Sequence, residues 1–392
     1  MNTLILNTEI QNFITANLNS DPTAILLKGT SFNGVETRDI VEQIEAKNRC
    51  VTKLKTWYKT PNIYYPNKLN IEQTSSEQTA NYKASLISGD SIIDITGGFG
   101  VDCFAFSKQF KQVTHCEINT ELSEKVAHNF RQLHVNNIKN ISEDGILYLR
   151  NTSQSFDWIY VDPSRRNDSK GKVFFLNDCL PNVPEHLDLL FKRGKHVLVK
   201  TSPLLDISIG VQELKFVKTL HVIALHNEVK ELLWVLTPKS TNSFTIHTAN
   251  ITKTGIETFS FPLDLESTLN TTYREPLNYL YEPNSAVMKA GAFNSIAHQL
   301  DLFKLHKHSH LYTSEKEINF PGRVFKIEKI IPYHKKTIQK ERIDKANITT
   351  RNFPDPVSKI RKTFKIKDGG GIYLFFTTDI NSNKIMIVCS KV

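Results

Sequence analysis

Residues 92–102 read IIDITGGFGVD, an apolar run followed by three glycines between two aspartates. The run has the length of a buried strand, and the glycines after it form a turn whose bare backbone a ligand can approach closely. A dinucleotide-binding turn would read G-x-G-x-x-G. Gly98-Phe99-Gly100 supplies its first half, but Cys103 stands where the third glycine belongs. Asp94 closes the strand just ahead of the glycines. A carboxylate in that place repels phosphate and attracts a cation.

The ligand expected at the turn therefore carries positive charge, as S-adenosylmethionine does through its ammonium and sulfonium. Three further acids follow in order. Glu117 ends "VTHCE", about twenty residues on, where an acid at a strand tip accepts from both ribose hydroxyls. Asp144 lies in "SEDG", placed to accept from an adenine amino group. Asp162 lies in "VDPSRR", residues 161–166. A single acid after a strand is usually a helix cap. Four in order after four successive strands, with a glycine turn after the first, point to one cofactor crevice at the strand ends.

The surroundings agree with an α/β reading. "VDCFAFSKQF", "SEKVAHNFRQLH" and "CLPNVPEHLDLLFKRG" have helical spacing, and "VTHCEI", "IKNISED", "FDWIYVDPS" and "HVLVKTSP" read as strands between them. "FVKTLHVIALH" and "KELLWVLTP" predict an antiparallel hairpin at the sheet edge. The predicted fold is a Rossmann-like seven-stranded sheet over 76–240, after a helical N-terminal segment, 1–75. A connecting domain, 241–318, and a small basic α/β domain, 319–392, complete the chain. "SAVMKAGAFNSIAHQLDLF" predicts one helix within the connecting domain.

The chain of 392 residues exceeds one ordinary core. It has no stretch of about 18 apolar residues and no basic leader before an apolar run, so neither a membrane span nor a signal segment is expected. Five scattered cysteines without a C-x-x-C pair argue against disulfides or zinc and suit a reducing cytoplasm. No metal is expected. His306, His308 and His310 alternate in "KLHKHSHLY" but lack acidic or cysteine partners, so they predict a polar surface strand or loop. The net charge is +9. It is concentrated between Pro321 and Lys367, where fourteen Lys or Arg face four Asp or Glu. A basic segment on a neutral body suggests either an appended polyanion-binding module or a solvated basic surface.

The ordered set "DITGGFGVD", "HCEIN", "SEDG" and "VDPSRR" resembles the class I S-adenosylmethionine-dependent methyltransferases. "QTSSEQTANYKA", residues 73–84, is similar to the segment before the glycine turn in one bacterial group of that class. Members of the group carry a THUMP-like C-terminal domain, and "KANITTRNFP…KIRKTFKIKDGGGIYLFFTT" is similar to that tail. The resemblance spans about Ile71 to Val392. It implies a ferredoxin-like/THUMP-like C-terminal region. It also implies that Asp94 and Gly98 line the methionine end of the donor, Glu117 the ribose and Asp144 the adenine, while Thr74 to Glu77 close over it. The candidate donor-binding set is Thr74, Ser75, Ser76, Glu77, Asp94, Thr96, Gly97, Gly98, Gly100, Asp102, Glu117, Ile118, Asp144, Gly145 and Asp162.

Methyl transfer needs a nucleophile held in line with the departing sulfur, about 3 Å from the methyl. Asp162 is the expected acceptor or general base, with Pro163 stiffening its turn and exposing a carbonyl, and with Arg165 beside it. Amino-methyltransferases usually read Asn/Asp-Pro-Pro-aromatic here. Ser164 and Arg165 replace the second proline and the ring, which removes the usual stacking surface for a base. Pyrimidine carbon methylation needs a cysteine, and "VKTSP" after the fifth strand has none. Cys179 is expected in the core. Arg165, Arg166 and Lys200 would either grip a phosphate or carboxylate of the substrate or pair structurally, as with Asp168.

In the tail, Lys359, Arg361 and Lys362 on a helix face, with Gly369-Gly370-Gly371, suit the phosphates of structured RNA. The expected function is methylation of structured RNA (ribosomal or transfer RNA), on nitrogen more than carbon. The rivals are a protein or small-molecule substrate, a non-catalytic RNA-binding protein with a retained cofactor fold, and an NAD-dependent oxidoreductase. Cys103, the antiparallel edge and the lack of an evident hydride-transfer base weigh against the last.

Overall fold

The computed structural model describes residues 1–165, 175–238, 240 and 243–392. The chain divides into two compact units, Met1–Lys218 with Leu233–Thr241 and Thr219–Leu232 with Asn242–Val392.

The first unit opens with helices. Thr8–Ala16 and Thr37–Lys53 bury Ile10, Ile14, Ile40, Val41 and Ile44 against Ile5, Ile25, Val35 and Tyr64. Apolar residues at helical spacing build this small core. The chain then runs through Lys68–Gln73 to a helix, α1, at Glu77–Ser85, whose N-cap Ser76 accepts from the Thr79 N–H at 3.1 Å. Five parallel strands follow: β1 Gly89–Asp94, β2 Phe110–Cys116, β3 Ile138–Ile141, β4 Phe156–Val161 and β5 Gly194–Thr201. Their order is β5-β4-β1-β2-β3, so the chain reverses direction across the sheet between β1 and β4. Ligands of such sheets bind beyond the strand ends at that reversal. Helices α2 Val101–Phe106, α3 Thr120–Gln132, α4 Gly145–Asn151 and α5 Val183–Arg193 make the crossovers.

The helix expected over residues 179–194 begins only at Val183. Asn182 caps it by accepting from the Glu185 N–H. Cys179 precedes it in a two-residue ladder, where Arg165 faces Cys179 and Ser164 faces Leu180. Cys179 is buried, as are the other four cysteines, and all five are free thiols. Among the described residues no helix is long and apolar enough to cross a membrane.

Two more strands, β6 Val217–Leu225 and β7 Glu228–Leu236, are joined by His226 and Asn227. Both linking residues have positive φ, 52° and 64°, as a tight two-residue hairpin turn requires. Among the described residues the sheet counts nine strands, where seven were expected. In the second unit, β8 Thr245–Ile251 adds in parallel to β6, and β9 Ile256–Pro262 pairs antiparallel with β8. The added pair covers what would otherwise be an open row of unpaired backbone groups on β6.

The second unit also carries a seven-stranded sheet. Its order is Phe303–Lys304, Tyr312–Ser314, Tyr279–Pro283, Gly322–Pro332, Lys384–Lys391, Ile372–Thr378 and Asn347–Thr350. The last two strands run parallel, with the helix Val357–Phe364 between them in sequence. Its cores include Leu280, Phe325 and Phe375 on one side and Ile338, Ile360 and Phe376 on the other. The helix expected over 285–303 is two helices, Ser285–Ala290 and Phe293–Gln299. Gly291, at φ +74°, ends the first in the left-handed region.

Candidate functional site

The glycine turn after β1 is built by close approaches. A Cβ on Gly97 would lie 2.4 Å from His115 Nε2, and one on Gly100 2.6 Å from Phe130 Cζ. Gly98 and Gly100 have φ of +53° and +76°. Only glycine holds these positions without strain. A Cβ on Gly145, at the start of α4, would lie 2.3 Å from the Ile95 carbonyl oxygen, so α4 packs tightly under the same turn.

Glu117, past the end of β2, reaches back to the turn. Its Oε2 accepts from the Gly98 N–H at 2.9 Å, and its Oε1 accepts from the Asn119 N–H at 2.8 Å. The turn and the tip of β2 are thus one hydrogen-bonded unit. Ile118, next in the chain, is 70% exposed, an unusual state for a large apolar side chain. Asp144 is exposed and caps α4, accepting from the Leu147 N–H at 2.8 Å. The Glu117 N–H donates to Ile141, the end of β3, so Glu117, Ile118 and Asp144 neighbour one another at the strand tips.

Beneath the turn lies a buried charge network. Asp94 is 2% exposed. Its Oδ1 accepts from the Thr96 N–H at 2.9 Å and the Thr96 hydroxyl at 3.1 Å, and its Oδ2 accepts from the Cys103 thiol at 3.5 Å. Burial, with help from the nearby Asp102 and Asp162 charges, outweighs these bonds and pushes the Asp94 carboxyl up to about 7. Asp102 behaves in the opposite way. Burial alone would raise it, but the Lys83 and Lys200 charges and the Tyr160 and Ser75 hydroxyls hold it below the ordinary carboxylate value. The Lys83 ammonium, fully buried, lies 3.2 Å from Asp102 Oδ1 and donates to Ser75 Oγ at 3.0 Å. Asp102 Oδ2 accepts from Ser75 at 2.9 Å and from Tyr160 at 2.8 Å.

The tip of β4 is tied to the same turn. The Thr96 hydroxyl accepts from the Asp162 N–H at 2.8 Å. The Lys200 ammonium, from the end of β5, donates to Asp162 Oδ2. The structure therefore brings Ser75, Asp94, Thr96, Gly97, Gly98, Gly100, Asp102, Glu117 and Asp162 together around one turn, with Pro163 following Asp162. Of the two roles expected for Lys200, substrate contact and structural pairing, its ammonium takes pairing, with Asp162. Arg166 lies outside the described residues, and so does the side chain of Arg165.

Thr74 ends the helix Lys68–Gln73. Glu77 accepts from Thr56 N–H at 2.5 Å and from the Thr56 hydroxyl at 2.9 Å, so it caps a neighbouring helix. Of the segment 74–77, Ser75 alone reaches Asp102. In the tail, Lys359 pairs with Asp355 at 2.7 Å. Arg361 pairs with Asp368 and donates to the Ile366 and Ala346 carbonyls. Lys362, on the same helix, is exposed.

Three residues that pattern reading did not select belong to the network: Lys83, Tyr160 and His115. His115 is fully buried under the turn, and burial lowers its imidazole to about 4. The one available signal was Lys83, a lysine on the inward face of an otherwise core-facing helical stretch.

Comparison with known proteins places the chain. Family models match it in three places: conserved hypothetical protein 95 over residues 71–183, a ferredoxin-like domain over 279–321 and a THUMP domain-like model over 322–391. A crystal structure described as "putative methyltransferase from Porphyromonas gingivalis W83" is 32% identical, with a TM-score of 0.89, and the alignment covers 98% of each chain. A curated relative, an "uncharacterized RNA methyltransferase" of Mycoplasma mobile, is 28% identical over 134 residues. That match covers 33% of this chain, and the chain spans about a third (36%) of that relative.

Proposed function

This chain belongs to the methyltransferase family of the Porphyromonas gingivalis protein, and from that membership we propose that it transfers a methyl group from S-adenosylmethionine to a nitrogen of structured RNA. The residues present fit that donor. The turn is stripped of side chains, the acid at the tip of β2 sits beside it, and the carboxylates under it outnumber the lysines. Glu117 would accept from the ribose, with exposed Ile118 against the adenine and Asp144 at its amino edge. Bound there, S-adenosylmethionine supplies an electrophilic methyl on a sulfonium.

The chain's own contribution is to place an acceptor. The link from Thr96 to the Asp162 backbone supports this reading most directly, because it fixes the catalytic candidate to the donor turn through one hydroxyl. Lys200 occupies one Asp162 oxygen, which leaves the other to accept from an amino group of the substrate. A carboxylate so paired orients the amine and stabilises positive charge as it forms on the nitrogen. The Pro163 carbonyl offers a second acceptor. The basic segment 319–392 would hold the RNA backbone; its exposed Lys362, Lys365 and Lys367 are the cations best suited to that role.

The test is transfer of label from S-adenosylmethionine to total RNA by wild type and Asp162→Ala, with donor affinity measured on both. The expected outcome is a loss of transfer of about a hundredfold or more, well beyond any loss of donor affinity. Transfer that survives the substitution, or label that enters protein and not RNA, overturns the reading.

A further inference from the structure

The ferredoxin-like stretch gathers two nitrogen-bearing side chains around one aromatic ring. Lys304 is 3% exposed; among the described residues no hydrogen bond or ion pair engages its ammonium, and the Glu266 charge acts on it from farther off. It lies 6.0 Å from the centroid of the Phe293 ring. His310 stacks on that same ring, with centroids 3.7 Å apart and planes at 25°. Its backbone sits in the left-handed region at φ +51°, and its Nδ1 is buried with no partner. Lys304, Arg351 and His308 all bear on His310, and together they lower its imidazole after burial does. The nearby carboxylates are already engaged. Glu282 accepts from both Arg323 and Arg351, and Glu266 accepts from the backbone N–H groups of Asn294 and Ser295.

Among the described residues the Lys304 ammonium makes no close ion pair, and a buried ring nitrogen without a partner, as His310 Nδ1 is, costs free energy. Both side chains converge on the same ring, the strained backbone of His310 holds its imidazole in place, and Arg351 stands next to it. Side chains of this kind, with one face of an aromatic ring, make a receptor for a tetrahedral oxyanion. We propose that Lys304 and His310, with Arg351 beside them, form a binding site for a phosphate group. The phosphate comes from a phosphodiester or a terminal phosphate of RNA, or from a free phosphate. In the RNA case the inference rests on the RNA substrate proposed above; in the free-phosphate case it stands without it.

The experiment uses the full chain without donor. Inorganic phosphate is titrated while the histidine ring proton resonances and the thermal midpoint are followed. A short RNA with and without a 5′-phosphate is titrated next. Wild type is compared with Lys304→Met and with His310→Asn, since asparagine tolerates the left-handed backbone. The expected result is saturable phosphate binding that shifts the His310 resonance and weakens at least tenfold in each variant. Preference for the phosphorylated RNA identifies the terminal phosphate as the source, equal binding of both RNAs identifies the diester, and a response to inorganic phosphate alone identifies the free ion. The proposal is overturned if wild type shows no saturable response to any of the three, or if folded Lys304→Met and His310→Asn respond as wild type does. Loss of methyl transfer to RNA with phosphate binding intact would sink the proposed substrate and leave this site standing.

Discussion

The Asp94→Asn substitution separates stability from function at the glycine turn. The Asp94 carboxyl is raised from 3.8 to about 7, chiefly by burial. The folded protein therefore holds this proton at pH values where the unfolded chain has released it, and stability falls as pH rises from about 4 to about 7. A displacement of that size corresponds to on the order of 4 kcal/mol once the carboxyl is ionised. Asparagine keeps an acceptor for Thr96 and carries no charge to bury. At pH 8 the variant should be more stable by up to about 4 kcal/mol, a rise of several degrees in thermal midpoint for a unit of this size. At pH 4 the two proteins should match. Donor affinity should move the other way. If the ionised carboxylate attracts the cationic donor, wild-type affinity falls about tenfold for each pH unit below about 7, while Asp94→Asn binds weakly at every pH. The titratable groups beside Asp94 are Asp102, Asp162 and Cys103, and of these Asp102, with the Lys83 and Lys200 charges acting on it, is held ionised through the window. Midpoints from pH 4 to 8 and calorimetric donor affinity at the same values make the assay. Parallel stability curves, or a donor affinity flat with pH in wild type, would refute the reasoning.

Two further outcomes follow from the same geometry. Lys83→Met leaves the Asp102 carboxylate buried without its nearest cation and should cost about 3–5 kcal/mol, with most of the loss recovered in Lys83→Met/Asp102→Asn; thermal denaturation of both checks this, and an unrecovered double variant counts against the pairing. Gly98→Ala meets nothing closer than the Thr96 carbonyl oxygen at 3.7 Å, so only the left-handed backbone strains it, by about 1 kcal/mol. Donor affinity should nevertheless drop tenfold or more, because the new methyl stands where the donor meets bare backbone, and unchanged affinity in the folded variant would remove the turn from the donor site.

The glycine turn and the acids around it were legible because their signals are local. A strand ending in an acid and a glycine turn announces itself within ten residues, and the alternation of strand and helix follows from the short connections. Partnerships across the fold were not legible. Nothing within "TANYKASL" says that Lys83 meets Asp102, since that contact depends on how helix α1 lands against α2. The pairing of Lys200 with Asp162 likewise needs β4 and β5 to be neighbours in space. The strand to which β8 adds is fixed by the edge of β6 and not by the residues of β8 itself. Arg361 read as a surface cation because helical spacing shows which face it occupies, not that its guanidinium turns back to the Ala346 and Ile366 carbonyls.

For the proposed donor, charge balance predicts how the crevice would select it. Three carboxylates, Asp94, Asp102 and Asp162, stand against two ammonium groups, Lys83 and Lys200. With all three ionised the cluster is one charge negative, and Asp94 is the member that resists ionisation. A donor bearing one net positive charge relieves that resistance, whereas its demethylated product, neutral overall, does not. The ordering of affinities then follows without any contact that distinguishes a methyl group. Donor binding should release a proton near neutral pH, product binding should release less, and the difference should vanish in Asp94→Asn. Calorimetry in two buffers of different ionisation enthalpy measures this directly. Equal proton release by donor and product would mean that the carboxylates under the turn do not sense the sulfonium, and the selectivity would have to come from contacts above it.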